Sequence, residues 1–165
     1  MARELSPLAL VAVNTGGLAM LQLGLAWVFA RLPELWFVVK YDARRRLAHD
    51  RLGLRKWKKL LPDGGNWLGG GFAKARLKSR DRDYLIRFAT ETRRGEVCHW
   101  VAMTLCSGFF LWNPWWGDLV IAAYAVIANL PCILVQRYNR ARLMRTSETL
   151  KARDKTARGD RALLK

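Results

Sequence analysis

The stretch ETRRGEVCHW, residues 91–100, runs straight into the apolar segment VAMTLCSGFFLW. On a helix Thr92, Glu96, His99 and Met103 share one face by i, i+3 and i+4 spacing. An imidazole with one nitrogen held by a carboxylate or an amide can take a proton from a hydroxyl with the other. Arginines beside it can bind a phosphate or steady an oxyanion. Together these are the parts for acyl transfer to an alcohol. Metal ligation fits less well, because His99 has no second histidine at i+4 and there is no HExxH. Cys98 points about 100° away from His99 on a helix, so the two do not form a nucleophile pair. Cys98, Cys106 and Cys132 lie in apolar segments without a CxxC and read as reduced packing residues. Neither His99 nor His49 has an aspartate five residues on, so an H-x4-D motif is excluded. On spacing alone, an interfacial histidine bonded to a backbone carbonyl is the simpler reading. The surrounding elements must decide.

The 165 residues are about half hydrophobic and carry 29 Lys and Arg against 13 Asp and Glu, a formal charge of +16. In a soluble domain that charge suggests nucleic acid. Here the cations are segregated from long apolar runs, which indicates an integral membrane protein and no nucleic-acid partner. Three runs suit a bilayer core about 30 Å thick: 6–33, 97–112 and 118–135. The two later runs flank NPWWG, a tight turn that makes them an antiparallel hairpin. The first run lacks a positive leader and an A-x-A cleavage site, and reads as a retained helix. Apart from Arg3, every Lys and Arg falls in 31–96 or 137–165. The positive-inside rule then puts 34–96 and the tail 137–165 in the cytoplasm, with the N-terminus and the Trp-rich turn outside. The expected architecture is a single all-α membrane domain over 1–165, with three transmembrane helices and interfacial amphipathic helices on the cytoplasmic side.

In DRLGLRKWKKLLPDGG, Leu54, Trp57 and Leu61 recur at helical spacing against a lysine- and arginine-rich face, a pattern that binds anionic lipid headgroups. The run Gly69 to Gly71 precedes Lys74, Arg76 and Lys78. It is either an interfacial loop or a phosphate cradle, but not a GxxxxGK[ST] loop. Asp81 is placed to cap a helix starting at Arg82, with Tyr84, Leu85 and Phe88 as its apolar stripe.

Counting outward from the hairpin turn near Trp115, residues whose numbers sum to about 230 lie at equal depth, since both helices rise about 1.5 Å per residue. His99 then meets the 129–131 turn, and Arg93 and Arg94 meet Gln136 and Arg137. Glu91, Glu96, His99, Asn129, Arg94, Arg137, Tyr138 and Asn139 gather at the cytoplasmic rim. His99, Glu96 and Asn129 are the catalytic candidates. Arg93, Arg94, Arg137 and Arg140, with Lys74 and Lys78, form the candidate anion site. Polar groups at such a depth are costly and usually functional.

ETRRGEVCHW, followed by YAVIANLPCILVQRYNRARL, resembles the glycosyl-4,4'-diaponeurosporenoate acyltransferase family over roughly 55–143, with RKWKKLLPDGG as a looser block. The matching positions are Glu91, Thr92, Arg93, Arg94, Glu96, His99 and Trp100, then Ala128, Asn129, Pro131 and the run from Gln136 to Leu143. Ala141 stands where the family pattern has proline. The resemblance implies a bacterial inner-membrane, multi-pass enzyme that esterifies a sugar hydroxyl of a membrane glycolipid. The fatty acyl group would come from acyl-CoA or acyl carrier protein as co-substrate, with no bound cofactor. A basic cytoplasmic face attracts either acidic donor. The competing expectation is a non-enzymatic membrane anchor whose basic arms, including RTSETLKARDKTARGDRALLK, bind anionic lipid or a partner enzyme.

Overall fold

A computed structural model describes residues 6–39, 79 and 81–163, with side chains described as far as 157. All regular structure among them is helical: α1 (Pro7–Arg31), a 3-10 turn (Glu34–Phe37), α2 (Arg82–Leu105), a 3-10 turn (Cys106–Leu111) and α3 (Trp115–Leu163). The segment containing the expected amphipathic helix, the glycine run, Lys74 and Lys78 lies outside the described residues.

Local chemistry sets the helix ends. Ser6 caps α1, its hydroxyl accepting from the Ala9 N–H at 3.3 Å, and Pro7 occupies the first turn, where a missing N–H costs nothing. At the other end Leu32 is extended (ψ 146°), the conformation imposed on a residue before proline. Asp81 caps α2 as expected, with its carboxylate accepting from the Tyr84 N–H at 3.4 Å. α2 stops at Leu105, where hydroxyls compete for the backbone: Ser107 Oγ donates to the Thr104 carbonyl at 2.7 Å. α3 starts directly after Pro114 and runs on to Leu163.

The chain divides into two compact units, Met1–Leu32 with Glu96–Ile133 and Pro33–Gly95 with Leu134–Lys165. In the first, Leu18, Cys106, Phe109, Ile121 and Ala125 form the core, with Leu21 and Met103 against it. The buried positions Gly117, Ile121, Ala125, Asn129 and Ile133 recur every four residues along α3, one helix face turned inward. Small residues allow the close approach: a Cβ on Gly17 would lie 2.8 Å from Phe109 Cε1. Where α1 approaches the hairpin turn, Asn14 Nδ2 donates to Asn113 Oδ1 at 2.7 Å, and Trp112 Nε1 donates to Asn14 Oδ1 at 3.0 Å. The outward faces are apolar, with Leu8 and Met20 on α1 and Leu119 and Ile127 on α3 among the exposed side chains.

Two helices, α1 and α3, are long and apolar enough to cross a membrane. Only 11% of the apolar window of α1 and 28% of that of α3 are buried, the reverse of a soluble core helix. The expected third span, 97–112, is not an independent apolar helix. Residues 97–105 are the end of α2, whose earlier turns carry Arg82, Asp83, Arg87, Glu91, Arg93, Arg94 and Glu96, and the remainder is 3-10 turn. Its status as a span is therefore not set by length and composition. The tail expected as a separate arm from 137 onward continues α3 without a break.

In the second unit the stripe read from the sequence is the core. Leu85, Phe88 and Ala89 of α2 pack with Leu143 and Met144 of α3, joined by Tyr84, Val39 and Leu150. Phe37 of the 3-10 turn is buried, while its neighbours Leu35 and Trp36 are exposed.

Candidate functional site

α2 and α3 each bring a polar residue into the first unit. His99 Nδ1 and Asn129 Oδ1 are 3.0 Å apart. Asn129 is fully buried, and its amide Nδ2 donates to the Ala125 carbonyl at 3.0 Å. A carbonyl can only accept, so that bond fixes which end of the Asn129 amide faces His99. The end facing His99 is the oxygen, which can only accept in turn. Nδ1 therefore carries the proton, and in neutral His99 the lone pair lies on Nε2. Of the two Nδ1 partners that the sequence offered, a carboxylate or an amide, the amide is the one in place.

Glu96, one turn before His99, is only 1% exposed. Thr92 on the same face is equally buried, its hydroxyl donating to the Ala89 carbonyl at 2.6 Å. Trp100 is exposed on a different face. Pro131 in α3 removes the N–H that would bond the Ile127 carbonyl, a substitution that membrane helices tolerate.

A contact that the sequence reading missed comes from α1. Gln22 Nε2 donates to the same Asn129 Oδ1 at 3.4 Å. Gln22 is one of few polar residues in an apolar helix, and that was the signal available to find it.

The second unit holds the candidate anion residues. Arg94 pairs with Glu91 at 2.8 Å, both side chains mostly buried, and its guanidinium lies 5.3 Å from the Phe37 ring centroid. Burial pushes the Glu91 carboxyl above its ordinary range, against the pull of Arg94. Arg87 and Glu34 add a looser, exposed pair at 3.9 Å. The Gln136 carboxamide lies against α2 at Gly95, where a Cβ would come within 2.7 Å of Nε2. Arg93 and Arg94 are the residues expected opposite Gln136 and Arg137; the contact found, Gly95 with Gln136, is one residue further along α2. On α3, Tyr138 and Arg140 are each 5% exposed, and Arg142 lies 5.8 Å from the Tyr138 ring centroid. Arg93, Arg137 and Asn139 are half-buried.

The described residues are all-α, with two helices long and apolar enough to cross a membrane and a half-buried imidazole held by a buried amide. The sequence model for glycosyl-4,4'-diaponeurosporenoate acyltransferase matches residues 27–149. Glycosyl-4,4'-diaponeurosporenoate acyltransferases of Staphylococcus aureus strains USA300 and NCTC 8325 / PS 47 are each 31% identical to this chain over 140 residues, covering 80% of it and 84% of their own length. The chain belongs to the glycosyl-4,4'-diaponeurosporenoate acyltransferase family. No solved structure matches it significantly.

Proposed function

We propose that the protein transfers a fatty acyl group from a water-borne thioester, acyl-CoA or acyl carrier protein, to a sugar hydroxyl of a membrane glycolipid of the glycosylated-carotenoid type, with His99 as general base. The contact between His99 Nδ1 and Asn129 Oδ1 is the observation that carries this reading, because it leaves the Nε2 lone pair as the basic site in a member of an acyltransferase family. Nε2 takes the proton of the acceptor hydroxyl as its oxygen attacks the thioester carbonyl. The C–S bond breaks, and the departing thiolate recovers the proton from the imidazolium, releasing ester and free thiol. Asn129 holds the imidazole in one tautomer, and the Glu96 carboxylate stabilises its charged form. Glu96→Gln therefore costs less than loss of His99. To test the function, the chain is expressed in a host that makes a glycosylated carotenoid acid, and lipid extracts are compared by mass spectrometry. Appearance of the acyl ester with the intact chain and not with His99→Ala supports the reading; no ester in either overturns it.

The donor's phosphates meet Arg93, Arg94, Arg137 and Arg140, with Lys74 and Lys78 contributing from the basic segment. Guanidinium forks suit phosphate oxygens. Arg94 already shares its charge with Glu91 at 2.8 Å. Arg137→Ala is therefore expected to raise the donor KM about tenfold, the scale of one charge-assisted contact, and Arg94→Ala to raise it less. An unchanged KM in both would return these residues to membrane anchoring.

The membrane arrangement belongs to the same proposal: three crossings completed by 97–112, N-terminus outside, 34–96 and 137–165 cytoplasmic at the inner membrane, and basic segments on anionic headgroups. From Trp115 to Asn129 is fourteen residues of helix, about 21 Å, so the His99–Asn129 pair sits well toward the cytoplasmic side of a core about 30 Å thick. Cysteines at Ser79 and at exposed Thr149, in a cysteine-free background, should resist an impermeant reagent in intact cells, while one at Trp116 reacts. Ser147, fully buried, is unsuitable. Labelling of 79 or 149 from outside would reject this topology.

A further inference from the structure

We propose that Gln22 of α1 is a positioning residue that acts on His99 through Asn129, so that the first helix is part of the proton-transfer machinery as well as an anchor. The inference rests on the reading of His99 as base. Its grounds are one oxygen and three hydrogen bonds. Asn129 Oδ1 faces His99 Nδ1 at 3.0 Å and receives Gln22 Nε2 at 3.4 Å, while Nδ2 of the same amide donates to the Ala125 carbonyl at 3.0 Å. Two donors on one oxygen use both of its lone pairs. A flip would set Oδ1 against the Ala125 carbonyl, and it would cost the Gln22 bond unless the Gln22 amide turned as well.

The consequence for His99 is a choice of tautomer. A fixed Oδ1 requires Nδ1–H and leaves the lone pair on Nε2. A flipped Asn129 would offer an N–H to Nδ1, draw the proton to Nε2 and remove the basic site. His99 and Asn129 alone do not prevent that exchange, because a flipped amide and the other tautomer still make a hydrogen bond to each other. The Ala125 carbonyl, which can only accept, opposes that exchange from within α3, and Gln22, as a donor to Oδ1, opposes it from α1. A polar side chain in an apolar span is costly unless it has such a partner.

Replacing Gln22 with leucine keeps α1 apolar and near the same volume. The expected result is a fall in kcat of about tenfold with the donor KM unchanged. In the Asn129→Leu background the same change should cost nothing further, because Gln22 then has nothing to hold. The independent readout is the 15N spectrum of histidine-labelled protein in detergent, with His49→Gln used to assign His99. The intact chain shows the Nδ1–H form of His99, and Gln22→Leu shows a mixture of tautomers. Gln22→Glu, which cannot donate to Oδ1 when ionised, should move the population further toward Nε2–H. Unchanged spectra and unchanged kcat in Gln22→Leu would overturn the proposal, as would equal costs in the presence and absence of Asn129. A tautomer shift in Gln22→Leu together with full turnover in His99→Ala would uphold the positioning but remove His99 as base.

Discussion

His99→Ala is expected to lower kcat by roughly 10²–10⁴, the usual contribution of a general base, while the donor KM stays near its original value. The split follows from the proposed roles: the imidazole touches the reacting hydroxyl, whereas arginines hold the donor. Alanine removes the ring without adding bulk, and leaves Asn129 with its bonds to Ala125 and Gln22. The unmodified enzyme should lose activity as the medium is acidified, because only the neutral imidazole can accept a proton. In His99→Ala that acid limb should disappear from whatever activity remains. Rates measured with purified protein in lipid nanodiscs, an acyl thioester and the glycolipid extract would show both effects. A variant that folds, inserts and turns over at near the original rate is incompatible with the mechanism.

Gly17→Leu should destabilise the first unit by about 1–3 kcal/mol, the scale of an overpacked interior. The ideal Cβ at this position would stand 2.8 Å from Phe109 Cε1 and 3.0 Å from its Cζ. The ring cannot swing clear at little cost, because Phe109 is itself buried in the core and its centroid lies 5.0 Å from that of the tilted Trp112 ring. Gly24 on the same helix has open space where its Cβ would be. Gly24→Leu should therefore be neutral or stabilising, by up to the ~0.8–1 kcal/mol that glycine costs inside a helix. Thermal unfolding in detergent compares the two directly. Equal midpoints for both variants would show that α1 does not pack closely on the 3-10 turn.

Much of the hairpin was legible in advance because a short turn joins two regular helices. Each residue of α2 and α3 advances about 1.5 Å, and although the 3-10 turn Cys106–Leu111 precedes the connection and α3 already begins at Trp115, partners follow to within a turn. That arithmetic put His99 opposite the 129–131 turn, where Asn129 is found, and Arg94 opposite Gln136, one residue short of the observed Gly95 contact. The cap at Asp81 and the stripe of Tyr84, Leu85 and Phe88 were equally readable, since both depend on neighbours within a turn. The limits of α2 as an apolar crossing were harder to see. Hydropathy counts residues, whereas the helix that contains 97–105 is one continuous element beginning at Arg82.

By itself, then, the sequence determined local helix formation, the inward face of α2, and its register on α3 to within a turn, because each depends on spacing along a continuous or tightly turned chain. Only the tertiary structure decided how α1 meets the hairpin. No tight turn read from the sequence joins α1 to the hairpin, so spacing gives α1 no register and its position is read from where side chains fit. Phe109 fits against Gly17, Asn113 against Asn14, and Asn129 against Gln22. Tertiary packing also decided the amide orientation at Asn129 and hence the tautomer of His99, because the Ala125 carbonyl and the Gln22 donor constrain opposite ends of one side chain. In the second unit it engaged the charge of Arg94 with Glu91, a pairing that i, i+3 spacing permits and whose burial only the fold decides.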